Sequence, residues 1–239
     1  MDLIELSKYL LDEQAAEKYL LEKGVIKTFS KCIRCESEKL GKIRRGKIKC
    51  YDCKYEWKQT KGSILEQCRI SASKFLGLLK LFELEIPAYK VAKLINLNEK
   101  VVETCFLSIR NIISDEYEII NRSKVQRFSI NEINGQVIVN CINENDIQDW
   151  FEIKRIRDLV GDIQFELKFR KQKFYIVEKR NKNELTNIHR FLRHLNYRIG
   201  RMRNLHFKYI YGYIKEIEFR FNNRNESLFI SLIQRLKAS

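Results

Sequence analysis

Apolar residues recur at helical spacing near the start of the chain: Leu3, Leu6, Leu10, Leu11, Ala15, Tyr19 and Leu20 share a face, and Lys23-Gly24 supplies a basic last turn and a stop. The pattern predicts one amphipathic helix over 2–23. From Thr28 to Gly62 that period disappears, and short alternating runs such as Lys47-Ile48-Lys49-Cys50-Tyr51 predict the strands of a small unit. The helical period returns at Ser71, with Phe75, Leu76, Leu78, Leu79 and Phe82 on one helix. Pro87 opens a short helix to about residue 95. After Asn96-Leu97-Asn98 another follows over about 98–113, carrying Val101, Val102, Cys105, Phe106, Ile109 and Ile112. Two helices joined by a tight polar turn fit a helix-turn-helix, and also any packed pair in a bundle.

Beyond Arg122 the pattern turns to strands: 127–130, 136–142, and 165–177 with a break near Arg170-Lys171. Asn134-Gly135 between the first two is a hairpin signal, since both residues tolerate the positive φ that a tight turn demands. Two helical stretches are predicted to close the chain. The first, 184–199, places Leu185, Ile188, Leu192, Leu195 and Ile199 on one face; the second, 205–221, is rich in aromatic residues.

Composition narrows the class. With 239 residues, 44% apolar, nine Gly and one Pro, the chain is neither disordered, nor collagenous, nor linker-rich. No stretch approaches the roughly 20 apolar residues of a membrane helix, and the start lacks a secretory signal, so an intracellular protein without a membrane partner is expected. The placement is nuclear in a eukaryotic host, otherwise cytoplasm and nucleoid. The formal charge is +15, unevenly spread. Residues 1–30 sum to −2, residues 31–61 to +7 and residues 168–203 to +10. Clustered cations attract a polyanion by releasing its condensed counterions, and a nucleic-acid backbone is the commonest such partner. A solvated face is the alternative for any one run.

The sharpest chemical signal is Cys32-Ile33-Arg34-Cys35 followed, after fourteen residues, by Cys50-Tyr51-Asp52-Cys53. Two C-x2-C turns can aim four thiolates at one Zn²⁺, and four protein ligands leave no open position, so the metal would be structural. A redox dithiol is the alternative for a single pair. Cys68, Cys105 and Cys141 sit in apolar surroundings and read as buried core thiols. Between the pairs, Arg44, Arg45, Lys47 and Lys49 lie on a predicted hairpin that could follow phosphates. In the helix-turn-helix reading, Asn98 and Lys100 face a groove while Lys90 and Lys93 meet the backbone. The later basic block offers Arg190, Arg193, Arg198, Arg201 and Arg203 as phosphate contacts.

The order along the chain then matters: Ala16-Glu17-Lys18-Tyr19-Leu20, Lys23-Gly24, the cysteine quartet, Lys61-Gly62-Ser63-Ile64-Leu65, a helix-turn-helix, and Glu218-Phe219-Arg220-Phe221-Asn222-Asn223-Arg224. This arrangement resembles Merlin-type DDE transposases and their bacterial insertion-sequence relatives over nearly the whole chain. The resemblance implies a zinc ribbon and helix-turn-helix that bind transposon ends, then an RNase H-like core in which three acidic residues hold two Mg²⁺ or Mn²⁺ ions. Carried over, the first acidic position falls on Asn131 and the third on His189; Asp162 is the nearest candidate for the second. Two-metal phosphoryl transfer needs hard anionic oxygens around ions about 4 Å apart, and Asn and His are neutral.

The expected fold is therefore multidomain α+β: an N-terminal helix (1–27), a zinc ribbon (28–66), a helix-turn-helix region (67–121) and a shortened RNase H-like α/β domain (122–239). The expected function is binding of double-stranded DNA by a transposase relative without strand transfer. An active enzyme using displaced carboxylates, among them Glu132, Asp146, Asp149 and Glu184, and a zinc-ribbon protein-interaction module are the alternatives. A second copy of the chain is an open partner; a small-molecule substrate is not expected.

Overall fold

The computed structural model describes residues 1–114, 125–142, 163–170, 173–178, 187–201 and 209–237. They form two compact units, residues 1–112 with 226–239, and residues 113–225.

The first unit opens with α1 (Leu3–Leu11) and α2 (Glu13–Glu22), where one helix was expected. The apolar period runs through both, but Asp12 leaves the helical region and its carboxylate accepts the Gln14 and Ala15 N–H groups at 2.9 and 3.2 Å. An aspartate that satisfies the free donors of a new helix start wins over continuing the old helix. A three-stranded antiparallel sheet follows: β1 (Leu40–Ile43), β2 (Lys47–Cys50) and β3 (Glu56–Lys58), the first two joined by a 3-10 turn over Arg44–Gly46. It has its own small core of Ile48, Trp57, Cys32 and Cys50, with Phe29, Leu40 and Tyr55 packed against it.

Then come α3 (Ile64–Cys68), α4 (Ala72–Glu83), α5 (Ala88–Leu94) and α6 (Glu99–Ser114). Helix α4 buries Phe75, Leu76, Leu78, Leu79 and Phe82, and α1 and α2 pack against it. The chain's last helix, α9 (Leu228–Arg235), also returns to α4. Phe229 is fully buried there, and its N–H donates to the Glu83 carboxylate at 3.0 Å. Sequence periodicity had ended the chain with two helices and assigned everything to residue 239 to one C-terminal domain. Ser227 at the start of this short apolar run is the local signal for a third helix.

The second unit carries β4 (Val125–Ile133), β5 (Gln136–Ile142), β6 (Ile163–Arg170) and β7 (Lys173–Glu178) in the order β5-β4-β6-β7, every pair antiparallel. Asn134 and Gly135 turn the β4–β5 hairpin at φ of 52° and 75°, the double left-handed geometry of a type I′ turn. Helices α7 (Asn187–Arg201) and α8 (Ile210–Asn222) supply the other half of the core. Phe191, Leu195, Ile199, Ile214 and Ile217 meet Ile130, Val137 and Val139 of the hairpin. The chain is thus a mixture of helices and small sheets, of α+β type. Layered α/β architecture rests on parallel strands joined by helices; among the described residues no strand pair is parallel.

Candidate metal centre and cationic surfaces

The cysteine quartet sits on two equivalent turns. In the first, the Glu36 N–H reaches the Cys32 carbonyl at 2.9 Å and the Arg34 N–H reaches the Cys32 sulfur at 3.4 Å. The second follows β2, with Cys50 N–H bonded to the Tyr55 carbonyl at 2.9 Å. In both, the residue after the second cysteine adopts a left-handed backbone: Glu36 at φ 58° and Lys54 at φ 61°. That shared twist folds each turn back on itself and points its two sulfurs the same way. Ser37 ties the turns together by donating to Asp52 at 2.7 Å, a bond that holds the Asp52 carboxyl below its ordinary range, helped by Lys39 at 3.4 Å.

All four Sγ atoms lie within 4.8 Å of one another, and the Cys32–Cys53 and Cys35–Cys50 pairs stand at 3.6 Å. Tetrahedral Zn–S bonds of about 2.3 Å would separate sulfurs by about 3.8 Å. Both close pairs join one turn to the other, so the sulfurs form a single cage rather than two separate dithiols. The donor set fits a metal ion. Its electrostatics favour one too: the Cys53 N–H, with that of Asp52 and the Cys35 and Cys53 thiols, draws Cys50 down to about 6 against burial. The Ser37 N–H pulls Cys35 down, yet Cys53, burial, Cys50 and Cys32 together drive it up to about 12. Four crowded sulfurs cannot all carry charge without a cation among them. Trp57 closes the floor, 5.7 Å edge-on from Phe29 and stacked 5.8 Å from Tyr55.

The cations picked from sequence fall on three surfaces. Arg44 is exposed in the turn at the ribbon tip; Arg45 shares that turn, its side chain lying outside the described residues. Lys47 and Lys49 follow on β2, but both contact the same carboxylate, Glu56, at 3.4 and 3.7 Å. Glu56 escaped the sequence reading because it becomes their neighbour only through the β2–β3 register, which sets it opposite Lys49. On α5, Lys90 and Lys93 are exposed, with Lys90 over the Tyr89 ring at 6.0 Å. Asn98 is exposed, and its side-chain oxygen accepts the Lys100 N–H at 2.9 Å, opening α6. Lys100 itself is exposed.

In the second unit, Arg190 and Arg193 are exposed on α7 and Arg198 is half-buried; Arg201 ends the helix, its side chain outside the described residues, as is Arg203 altogether. Asn131 lies on β4 opposite Ile138, its side chain not described; His189 is half-buried in the first turn of α7; Asp162 falls outside the described residues. The Glu218-to-Arg224 run turns out to be structural. Asn222 accepts the Val137 N–H at 2.9 Å and donates to the Val137 carbonyl at 2.7 Å, Glu218 accepts the Val139 N–H at 2.9 Å, and Lys215 donates to the Val139 carbonyl at 3.2 Å. Three side chains at helical spacing thus bond the edge of β5 as a neighbouring strand would. Among the described residues no helix is long and apolar enough to cross a membrane. Comparison of the chain with protein-family profiles, with curated proteins and with solved structures finds no match to any of them.

Proposed function

We propose that the chain is a DNA-binding protein whose cysteine cage holds structural Zn²⁺ and so fixes a cationic ribbon against duplex phosphates. The observation that carries this reading is the convergence of four sulfurs within 4.8 Å at the base of the hairpin that bears Arg44, Lys47 and Lys49. A ribbon with so small a core needs a metal to hold one shape. Once held, its cations keep a fixed spacing, and the exposed Lys90, Lys93 and Lys100 of the α5–α6 pair add to the same field. Arg190 and Arg193 offer a further phosphate-binding face on α7. Descent from a Merlin-type transposase belongs to the same proposal and rests on the order of motifs. So does the loss of strand transfer, since Asn131 and His189 give neutral ligands where two metals need carboxylates.

The test is a salt titration of the zinc-loaded protein on a labelled duplex. Direct phosphate contact gives a log–log slope of about −0.9 per phosphate neutralised; a flat response refutes it. Incubating the same complex with Mn²⁺ should leave the duplex intact, and cleavage would restore the enzyme reading. A protein-interaction module is the second reading, favoured by the pairing of Glu56 with Lys47 and Lys49, which reduces the ribbon's net charge.

A further inference from the structure

Between α5 and α6 the chain reverses within a few residues, and backbone conformation makes the turn. Asn96 sits at φ 51°, in the left-handed region, and the Leu97 N–H returns to the Ala92 carbonyl at 2.9 Å. The Asn98 carbonyl then accepts the Val101 and Val102 N–H groups at 3.0 and 3.2 Å, which starts α6. Both helices are pinned on one side: Val91 and Ala92 on α5, and Val102, Cys105, Phe106 and Ile109 on α6, are at most 6% exposed. The other side of α6 is open only near its start, where Glu99, Lys100, Glu103 and Thr104 are exposed; from Cys105 to Ile109 every residue is buried or half-buried. Two helices joined by a tight turn, the second open at its N-terminal end, are the arrangement that presents side chains to the major groove of a duplex.

We propose that α6 reads base sequence, and that Glu103 selects cytosine by accepting a hydrogen bond from its N4 amino group in the major groove. The inference rests on the DNA-binding reading above and adds to it one residue and one base. Cations frame the helix: Lys90 and Lys93, one turn apart on α5, and Lys100 on α6 are exposed. A carboxylate among them repels phosphate and lowers affinity unless it faces a donor. Among the described residues neither Glu99 nor Glu103 has an ion pair, and at i,i+4 the two repel each other. Glu99 has a structural reason to be acidic, since it stands in the first turn of α6 at the positive end of the helix dipole. Glu103 lies one turn further on and has no such reason. Its polar neighbours are already bonded within the helix: the Asn98 side-chain oxygen accepts the Lys100 N–H at 2.9 Å, and the Thr104 hydroxyl donates to the Lys100 carbonyl at 2.8 Å. Hydrogen-bond readout on this face therefore falls to Glu103. Cytosine suits a carboxylate best, because its major-groove edge offers an amino donor alone; adenine sets an acceptor beside its donor, and guanine shows acceptors only.

The experiment is selection of binding sites by the full zinc-loaded chain from a pool of duplexes with a randomised central segment. The expected result is a short enriched motif with cytosine at a fixed position. Glu103→Ala should lose about five- to tenfold of the preference for cytosine there, while affinity for the unselected pool stays the same or rises by up to a few-fold. Glu103→Gln should move the preference at that position from cytosine to adenine, because an amide offers adenine both a donor and an acceptor. A purely structural Glu103 would move neither. Lys93→Gln should weaken binding to every sequence alike and lower the salt slope by about one. Circular dichroism of each variant checks that helix content is kept. Binding of the pool with no enriched motif overturns the proposal and leaves phosphate binding standing. A cytosine preference that survives Glu103→Ala overturns it as well, and a chain that does not bind the pool at all removes this inference together with the DNA-binding reading.

Discussion

The Glu13 carboxylate accepts the Ala72 backbone N–H at 2.6 Å, so a side chain on α2 closes the start of a helix 59 residues further on. Its other oxygen takes the Ser73 N–H at 3.1 Å and the Ser73 hydroxyl. The first donors of α4 have no partner within their own helix, and the positive end of its dipole favours an anion there. Burial alone would push the Glu13 pKa up, but the Ser73 hydroxyl, the Ser73 and Ala72 N–H groups and Ser71 outweigh it, and the pKa lies below its ordinary value of 4.5. A depressed carboxylate pKa means that the unfolded chain binds the proton more readily. The stabilisation is therefore complete above the unfolded pKa and is lost as pH falls through the folded one. Glu13→Gln should lower stability by about 1–2 kcal/mol at pH 7. Urea melts at pH 7 and pH 4 should show the difference shrinking on acidification; a constant difference would mean that the charge plays no part.

Removal of metal should unfold the ribbon selectively. A structural zinc site is worth about 10–16 kcal/mol at pH 7, so losing one of four ligands removes roughly 3 kcal/mol. Cys50→Ser should bind zinc weakly, and a chelator should bring the wild type to the same state. Trp57, 4% exposed on the floor of the cage, reports the change through a red shift of its emission. Because thiolates bind metal and thiols do not, acidification should release zinc together with that shift. Metal analysis showing well under one equivalent, with an unchanged melt for Cys50→Ser, would refute the assignment.

The two cysteine turns make a further, sharper test. Glu36 is exposed and sits at φ 58°, where a side chain costs about 1–2 kcal/mol and glycine very little. Glu36→Gly should tighten zinc binding or raise the melting point by the equivalent of about 0.5–1 kcal/mol after glycine's own entropy is counted. Lys54→Gly should gain less, because Lys54 also donates to the Tyr51 carbonyl at 2.6 Å. Equal gains, or losses in both, would show that the shared backbone twist is not what limits the ribbon.

Much of this architecture could be read from short-range pattern. The cysteine spacing, the Asn134-Gly135 turn and the periods of α4, α6, α7 and α8 each lie within a window of a few residues. What escaped depends on partners far apart in sequence. Nothing near Glu13 announces Ala72, and nothing near Lys47 announces Glu56. The break at Asp12 was hidden because α1 and α2 keep one apolar period across it, and α9 because its eight residues follow a polar turn at the end of the chain. The Glu218-to-Arg224 run was noticed as a motif, but its bonding to β5 follows only from the packing of α8 on the sheet.

That packing predicts an unusual sensitivity at Asn222. Its amide serves both polar groups of Val137, and Val137 is fully buried. Asn222→Leu leaves a buried donor and a buried acceptor unpaired and should destabilise the second unit by about 2–4 kcal/mol. Asn222→Asp keeps the acceptor for the N–H but sets an anion against the carbonyl, and should be little better. Hydrogen exchange at the Val137 and Val139 amides should accelerate in both variants; unchanged protection would show that the edge is held by something other than these side chains.

The nucleic-acid contact proposed for the ribbon turns on Glu56. As an acceptor for Lys47 and Lys49 it cancels one of their two charges and holds both ammonium groups over the sheet, with Lys58 across from Lys47 in register. Exposed ion pairs contribute little to stability, about 0–1 kcal/mol, so Glu56→Gln should leave the fold and the zinc content unchanged. Its effect on DNA should be larger. With the carboxylate neutralised, two lysines are free to meet phosphates, and a repulsive charge is gone from the same face. Duplex affinity should then rise by roughly two- to fivefold at low salt, and the salt slope should steepen by up to about one unit. Lys49→Gln should move both quantities the other way. If the ribbon instead docks a protein, Glu56→Gln will leave DNA binding untouched while Arg190→Ala and Arg193→Ala alone reduce it, which would shift the DNA contact to α7.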